Sequence, residues 1–102
     1  MSKNGMRPVH PGEVLREEYL EPLGISANAL SRALHVSAPR INDIVRERRG
    51  ITADTAMRLA RFFGTTPHFW MNLQAEYDIR TAEKSSAKEI SKEVEPYTSA
   101  CV

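Results

Sequence analysis

The sequence predicts an all-α domain of five short helices spanning about residues 11 to 80, and three observations carry that prediction. Apolar residues recur at i, i+3 and i+4 in segment after segment. Each segment opens on a Ser or Thr suited to capping, or on a Pro suited to a first helical turn. No stretch alternates apolar and polar residues as a half-buried strand would, and no internal repeat is present.

Residues 1 to 10 lack periodicity and read as a flexible N-terminal arm. Pro11 then starts the first helix, about 11 to 20, whose apolar face is Val14, Leu15, Tyr19 and Leu20, and the Pro22-Leu23-Gly24 turn ends it. Ser26 caps a second helix, about 27 to 34, carrying Leu30, Ala33 and Leu34. Ser37 caps a third, about 38 to 47, with Pro39 in its first turn and Ile41, Ile44 and Val45 as its stripe. After Arg48-Arg49-Gly50, Thr52 caps a fourth, about 53 to 63, with Ala56, Leu59, Ala60 and Phe63 inward and Gly64 as its stop. Thr66-Pro67 starts a fifth, about 67 to 80, with Trp70, Leu73 and Tyr77 on one face. Residues 81 to 102 are rich in Lys, Glu and Ser and read as a charged tail, partly helical or disordered. Leu30, Val36, Ile41, Ile44, Leu59 and Phe63 are the expected core.

A length of 102 residues is that of one domain, and 41% hydrophobic residues suffice for a core. Apolar runs stop at three or four residues, as in Phe69 to Met71, far short of the roughly 18 to 20 needed to cross a bilayer, and no secretory h-region follows Met1. A cytoplasmic protein is expected. The single cysteine, Cys101, can neither form an internal disulfide nor complete a cysteine zinc site.

Charge is unevenly spread although the net value is only +1. Residues 11 to 25 carry one Arg against four Glu, whereas residues 26 to 62 carry seven Arg against Asp43, Glu47 and Asp54. All seven cations are Arg, whose planar fork suits phosphates and guanine edges.

Two short helices separated by three or four residues, the second opened by Ser37, have the layout of a helix-turn-helix. With Ile41, Ile44 and Val45 inward at 100° per residue, the third helix presents Pro39, Asp43 and Arg46 outward, flanked by Arg40, Asn42 and Glu47. Arg40 and Arg46 suit guanine O6 and N7, Asn42 suits adenine, and Asp43 can accept from cytosine N4. Pro39, Arg40, Asn42, Asp43 and Arg46 are therefore the expected base-contacting set. Arg48 and Arg49, with Ser26, Asn28 and Ser37 near the helix starts, are the expected phosphate contacts.

The run I-S-A-N-A-L-S-R-A-L-H-V-S-A-P-R-I-N-D-I-V-R-E-R-R-G from Ile25, continuing to Gly64, resembles the Cro/C1-type (XRE-like) helix-turn-helix family. More narrowly, H-P-G-E-V-L-R-E-E-Y-L at 10 to 20, R-I-N-D-I-V-R-E-R-R-G-I-T at 40 to 52 and F-F-G-T-T-P-H-F-W-M-N-L-Q at 62 to 74 resemble the HigA-type antitoxins. The resemblance implies a five-helix, lambda-repressor-like helix-turn-helix domain. No cofactor is expected, and an enzyme such as a small ribonuclease is discounted because it would need a sheet to present its basic catalytic groups, whereas the periodicity here is helical throughout. It implies a type II toxin-antitoxin function: direct binding of a RelE-fold ribonuclease toxin and repression of its own operon by a dimer on double-stranded operator DNA. Ala27 departs from the pattern, standing where many relatives have a buttressing Gln, so the second helix is expected to contribute less to recognition. The alternatives are a helix-turn-helix regulator without a toxin partner and a protein-interaction module on the same fold.

Other features have plainer readings. His10, His35 and His68 lie on different elements without metal-ligand spacing and are read as structural or solvated. Glu17, Glu18 and Glu21 form a solvated face that would repel phosphate. Phe62 and Phe63 are adjacent, as are Phe69 and Trp70, and neighbours on a helix cannot all face one core. The surplus motivates a homodimer through Phe62, Phe69, Trp70, Leu73 and Tyr77.

Overall fold

A computed structural model describes residues 7–98, and every regular element among them is helical. Pro11–Val14 is α-helical, Leu15–Leu20 has π-helical pairing, and Glu21–Leu23 returns to α; together they form α1. The remaining helices are α2 (Ala27–Leu34), α3 (Ala38–Val45), α4 (Ala53–Phe63) and α5 (Pro67–Glu93). The Ser26, Ser37, Thr52 and Thr66 hydroxyls each accept a backbone N–H three residues on, as their positions predicted.

Three boundaries differ from the sequence expectation. α1 continues through Pro22 because the wider π turn pairs the Glu21 N–H with Arg16 O, breaking the ordinary register where proline would have left a gap. It ends instead at Gly24, which adopts φ 67°. α3 stops at Val45, not at 47: the N–H of Arg48 bonds to Asp43 O and that of Glu47 to Ile44 O, a Schellman closure with Glu47 left-handed at φ 63°. α5 runs to Glu93, so the expected end at 80 is corrected. Eight of the thirteen residues from 81 to 93 are Ala, Glu or Lys, none is Gly or Pro, and Glu76 and Arg80 pair one turn apart at 2.6 Å.

The core joins α1 to α5 through fully buried Leu15, Leu30, Ile41, Ile44, Leu59 and Trp70. Val36 and Phe63, expected inside, are half-buried and pack on its margin. The Trp70 indole N–H donates to Thr65 Oγ1 at 2.8 Å, so the largest core side chain also satisfies its polar atom.

Residues 1–6 and Cys101 lie outside the described residues. Residues 7 to 10 are tied down, contrary to a flexible arm: the Arg7 guanidinium makes two bonds to the buried Glu13 carboxylate, at 2.9 and 3.1 Å. His10 is buried, and its Nδ1 accepts the Gly12 N–H at 2.8 Å, capping α1. Its ring meets Tyr77 edge-on, with centroids 4.8 Å apart.

Truncating Leu30 or Ile44 to Ala is expected to cost about 2 to 5 kcal/mol, because both are fully enclosed. Thermal midpoints equal to wild type would contradict this core. His10 generates a second expectation. Burial holds its pKa below the usual histidine value, outweighing the opposing pull of Glu47 and Asp78. The unfolded chain therefore takes up the proton first as pH falls through about 6.5, and stability drops until the pH passes below the folded-state pKa. Thermal midpoints measured from pH 8 to 5 should fall less in His10→Asn, which retains a capping acceptor without a titrating ring.

Candidate nucleic-acid interface

The site begins with how α3 is held. Its inner face, Ile41 and Ile44, is sealed in the core. Its last turn carries α1: a Cβ added at Gly12 would lie 1.8 Å from Ile44 O, so only glycine permits this approach. The Arg16 guanidinium donates to the Val45 carbonyl and pairs with Glu47 at 3.2 Å, satisfying the end of α3. At its start, Asn42 Nδ2 reaches the Ala38 carbonyl and Asn28 Oδ1, both at 2.9 Å, linking α3 to α2. This cross-link comes from the position after Ala27, so α2 does brace the recognition helix despite the missing Gln. The loop after α3 is fastened to α5 by Gln74, whose Oε1 accepts the Ile51 N–H at 2.6 Å.

Pro39 is exposed on the first turn of α3. Arg40 does not simply point outward: its Nη1 binds Asp54 at 2.9 Å and Thr55 Oγ1 at 3.4 Å, across on α4. Asn42 is half-buried within its bridge, and Asp43 lies between Arg48 and Arg49, at 3.5 and 3.9 Å. Arg46 is exposed as the residue that ends α3. Ser26 and Ser37 are exposed caps, and Asn28 is exposed beside Ser26 with its amide N–H groups still able to donate. The helix starts of α2 and α3 and the Arg48-Arg49 turn thus frame α3 with positive potential.

Several functional side chains escaped the sequence reading. Asp54 holds both Arg40 and Arg58 at 2.9 Å, and bonding from Arg40 and then Arg58 keeps its carboxyl below the usual carboxylate range. The Arg58 pair was readable at i, i+4, whereas Arg40 and Asp54 are 14 apart in sequence and meet only by folding. Arg58 also donates to the Leu34 carbonyl at 2.8 Å, closing the end of α2.

Of the expected dimer residues, Phe62 and Phe69 are exposed, Leu73 and Tyr77 are half-buried, and Trp70 is enclosed within its own chain. Trp70 therefore has no surface to offer a partner; the core claimed it because it is inward of Phe69 on the same turn. His10 is the buried cap described above, His35 closes α2 at φ 60°, and His68 is exposed on α5. Glu17, Glu18 and Glu21 are exposed on α1.

Two eight-residue helices joined by a three-residue turn, the second exposed along a polar edge and flanked by arginines, define a helix-turn-helix protein. The Helix-turn-helix family model matches residues 17–70. Virulence-associated protein I of Dichelobacter nodosus is 62% identical over 82 residues, which is 80% of this chain and 76% of that protein. The solved structure of Pseudomonas aeruginosa antitoxin HigA with the higBA promoter is 58% identical, with a TM-score of 0.87 over 90% of this chain and all of that one. A HigA-family addiction module antidote protein from Coxiella burnetii is 55% identical, with a TM-score of 0.86 over 90% of this chain and all of that one. The chain belongs to the Cro/C1-type helix-turn-helix family and, within it, to the HigA antitoxins; it is not an enzyme.

Proposed function

We propose that this chain is the antitoxin of a type II toxin-antitoxin pair, which reads operator DNA as a homodimer, represses its own operon and binds a RelE-fold ribonuclease toxin directly. The observation that carries the DNA part is the braced edge of α3, where Arg40, Asn42, Asp43 and Arg46 are framed by two helix starts and by Arg48 and Arg49. The promoter complex of the Pseudomonas relative supports it. The toxin and operon parts draw their support from membership of the HigA antitoxins. Among the described residues no helix is long and apolar enough to cross a membrane, which agrees with a cytoplasmic site of action.

In this reading α3 enters the major groove, and the starts of α2 and α3 approach the backbone, with Ser26, Asn28 and Ser37 donating to phosphates. Asp54 occupies one Arg40 nitrogen, leaving the rest of the fork for guanine, and so positions the arginine before DNA arrives. Asn42 spends its amide N–H groups inside the protein, so its Oδ1 is the atom that reads, accepting from adenine N6 or cytosine N4. Asp43 holds Arg48 and Arg49 until phosphate takes them over. The exposed rings of Phe62 and Phe69 offer area for the second copy, whose α3 reads the other half-site.

Titration against the chain's own upstream DNA tests this directly. Arg40→Ala, Asn42→Ala or Arg46→Ala should each cost about 1 to 3 kcal/mol on the operator and relax preference at one base pair per half-site. Arg48→Ala or Arg49→Ala should instead weaken operator and random DNA alike and lower the salt slope by about one per contact. Unchanged operator affinity in all five would remove α3 as the reader. Sedimentation at micromolar concentration should give a dimer, and a monomer would leave the operator without a two-fold reader. Co-purification with the product of the adjacent gene, with growth rescue, tests the toxin.

A further inference from the structure

The core accounts for the apolar residues of the run from Phe62 to Gln74: Trp70 is enclosed in it, and Phe63, Met71 and Leu73 pack on its margin. It does not account for Gln74. That side chain is half-buried on α5, one turn before Asp78, and reaches the turn between α3 and α4.

The turn carries Arg48 and Arg49. Its α3 side is fixed by the bonds from the Glu47 and Arg48 N–H groups back to Ile44 and Asp43, and its α4 side by the Thr52 cap. From Arg49 to Ile51 the backbone donates one hydrogen bond among the described residues, from the Ile51 N–H to Gln74 Oε1 at 2.6 Å. Ile51 is buried, so water is a poor substitute for that acceptor. The arginine side chains themselves are loosely tied, to Asp43 at 3.5 and 3.9 Å.

The other end of the Gln74 amide donates from Nε2 to Asp78 Oδ1 at 3.0 Å. The two partners decide which end faces the turn, because the Ile51 N–H can only donate and the Asp78 carboxylate can only accept. Gly50 completes the arrangement. Gly24 and Gly64 have left-handed φ and Gly50 does not, so its conformation does not require glycine. A Cβ there would stand 2.8 Å from Gln74 Oε1, so what Gly50 supplies is room for the amide.

We infer that Gln74 is a positioning residue for DNA binding: from α5 it fixes the backbone from which Arg48 and Arg49 reach the phosphates, without touching DNA itself. A cation on a fixed backbone loses less freedom on meeting a phosphate than one on a loose turn, so a single bond favours both contacts. This deepens the DNA reading above and rests on it.

The test measures the affinity of the full chain for operator and random DNA across a salt series at pH 8, where His10 is uncharged, with circular dichroism to verify folding. Gln74→Met keeps the net charge, the helix propensity and the approximate length of the side chain but removes the acceptor. It should lower the slope of log affinity against log salt by about one to two on both DNAs and leave base preference unchanged. A loss of stability alone would weaken binding without moving that slope. Exchanging the pair, Gln74→Glu with Asp78→Asn, restores an acceptor for Ile51 and a donor at 78 at the same net charge, and should return the slope to wild type. Gly50→Ala pushes the amide aside while leaving Gln74 in the chain. It should lower the slope as Gln74→Met does, the two together should lower it no further, and it decides the matter should Gln74→Met not fold. Wild-type slopes in Gln74→Met and Gly50→Ala, where Arg48→Ala and Arg49→Ala lower them, overturn this assignment alone. So does a slope that the exchange fails to restore. Slopes unchanged even by Arg48→Ala and Arg49→Ala overturn it together with the phosphate contacts it rests on.

Discussion

The rest of the molecule depends on one close approach, that of Gly12 to the carbonyl of Ile44. A side chain there would collide with backbone, which has no rotamer to yield, so α1 would have to back away from α3. Everything at the start of α1 is fitted to this contact. His10 caps the helix through the Gly12 N–H itself, Pro11 is buried beside it, and Arg16 one turn on reaches the Val45 carbonyl that the end of α3 leaves open. The recognition helix is consequently gripped at its last turn by α1 and near its first by Asn28 of α2. Its orientation is set by backbone packing at one end and a side-chain bond at the other, so it meets a groove already aimed.

Acid residues around the arginines serve the same end. Asp43 and Asp54 would repel phosphate if they stood alone, yet each is shared by two arginines, Arg48 with Arg49 and Arg40 with Arg58. Such exposed pairs add little to stability. Their effect is on binding: they lower the net charge that any DNA feels, and they restrict where the guanidinium groups can be. Non-specific attraction weakens while a correctly placed guanine still finds an arginine in position. Four of the seven arginines between residues 26 and 62 are held in this way, so in the proposed reading the stretch serves as a selective surface instead of a uniformly adhesive one.

The helices were legible because each start has a local cause. Ser26, Ser37, Thr52 and Thr66 cap through bonds that span three residues, and such bonds can be read from spacing alone. The ends were less legible. Glu47 and His35 take left-handed conformations that sequence assigns to glycine, and Pro22 survives inside α1 only because a π turn precedes it. In the site, the outward edge of α3 followed from periodicity. The bonds that constrain it, Arg40 to Asp54, Asn42 to Asn28 and Arg16 to Val45, join residues 14 or more positions apart, and no local pattern encodes them. For Trp70 the spacing was sufficient: it shares a face with Leu73 and Tyr77 and is buried, while its neighbour Phe69 turns outward, so the dimer surface should have been given Phe69 without Trp70.

The second half of α5 stands apart from this bracing. The reading helix is held by α1, α2 and α4, and the loop after it by Gln74 on the first half of α5. Beyond residue 80 the helix carries Ile90 and Val94, more than half exposed, on one side and Lys84, Lys88 and Lys92 on the other. That is the pattern of a helix with one face for solvent and one still to be covered, and none of its residues touches the bonds that aim α3, so covering it leaves the orientation of α3 unchanged.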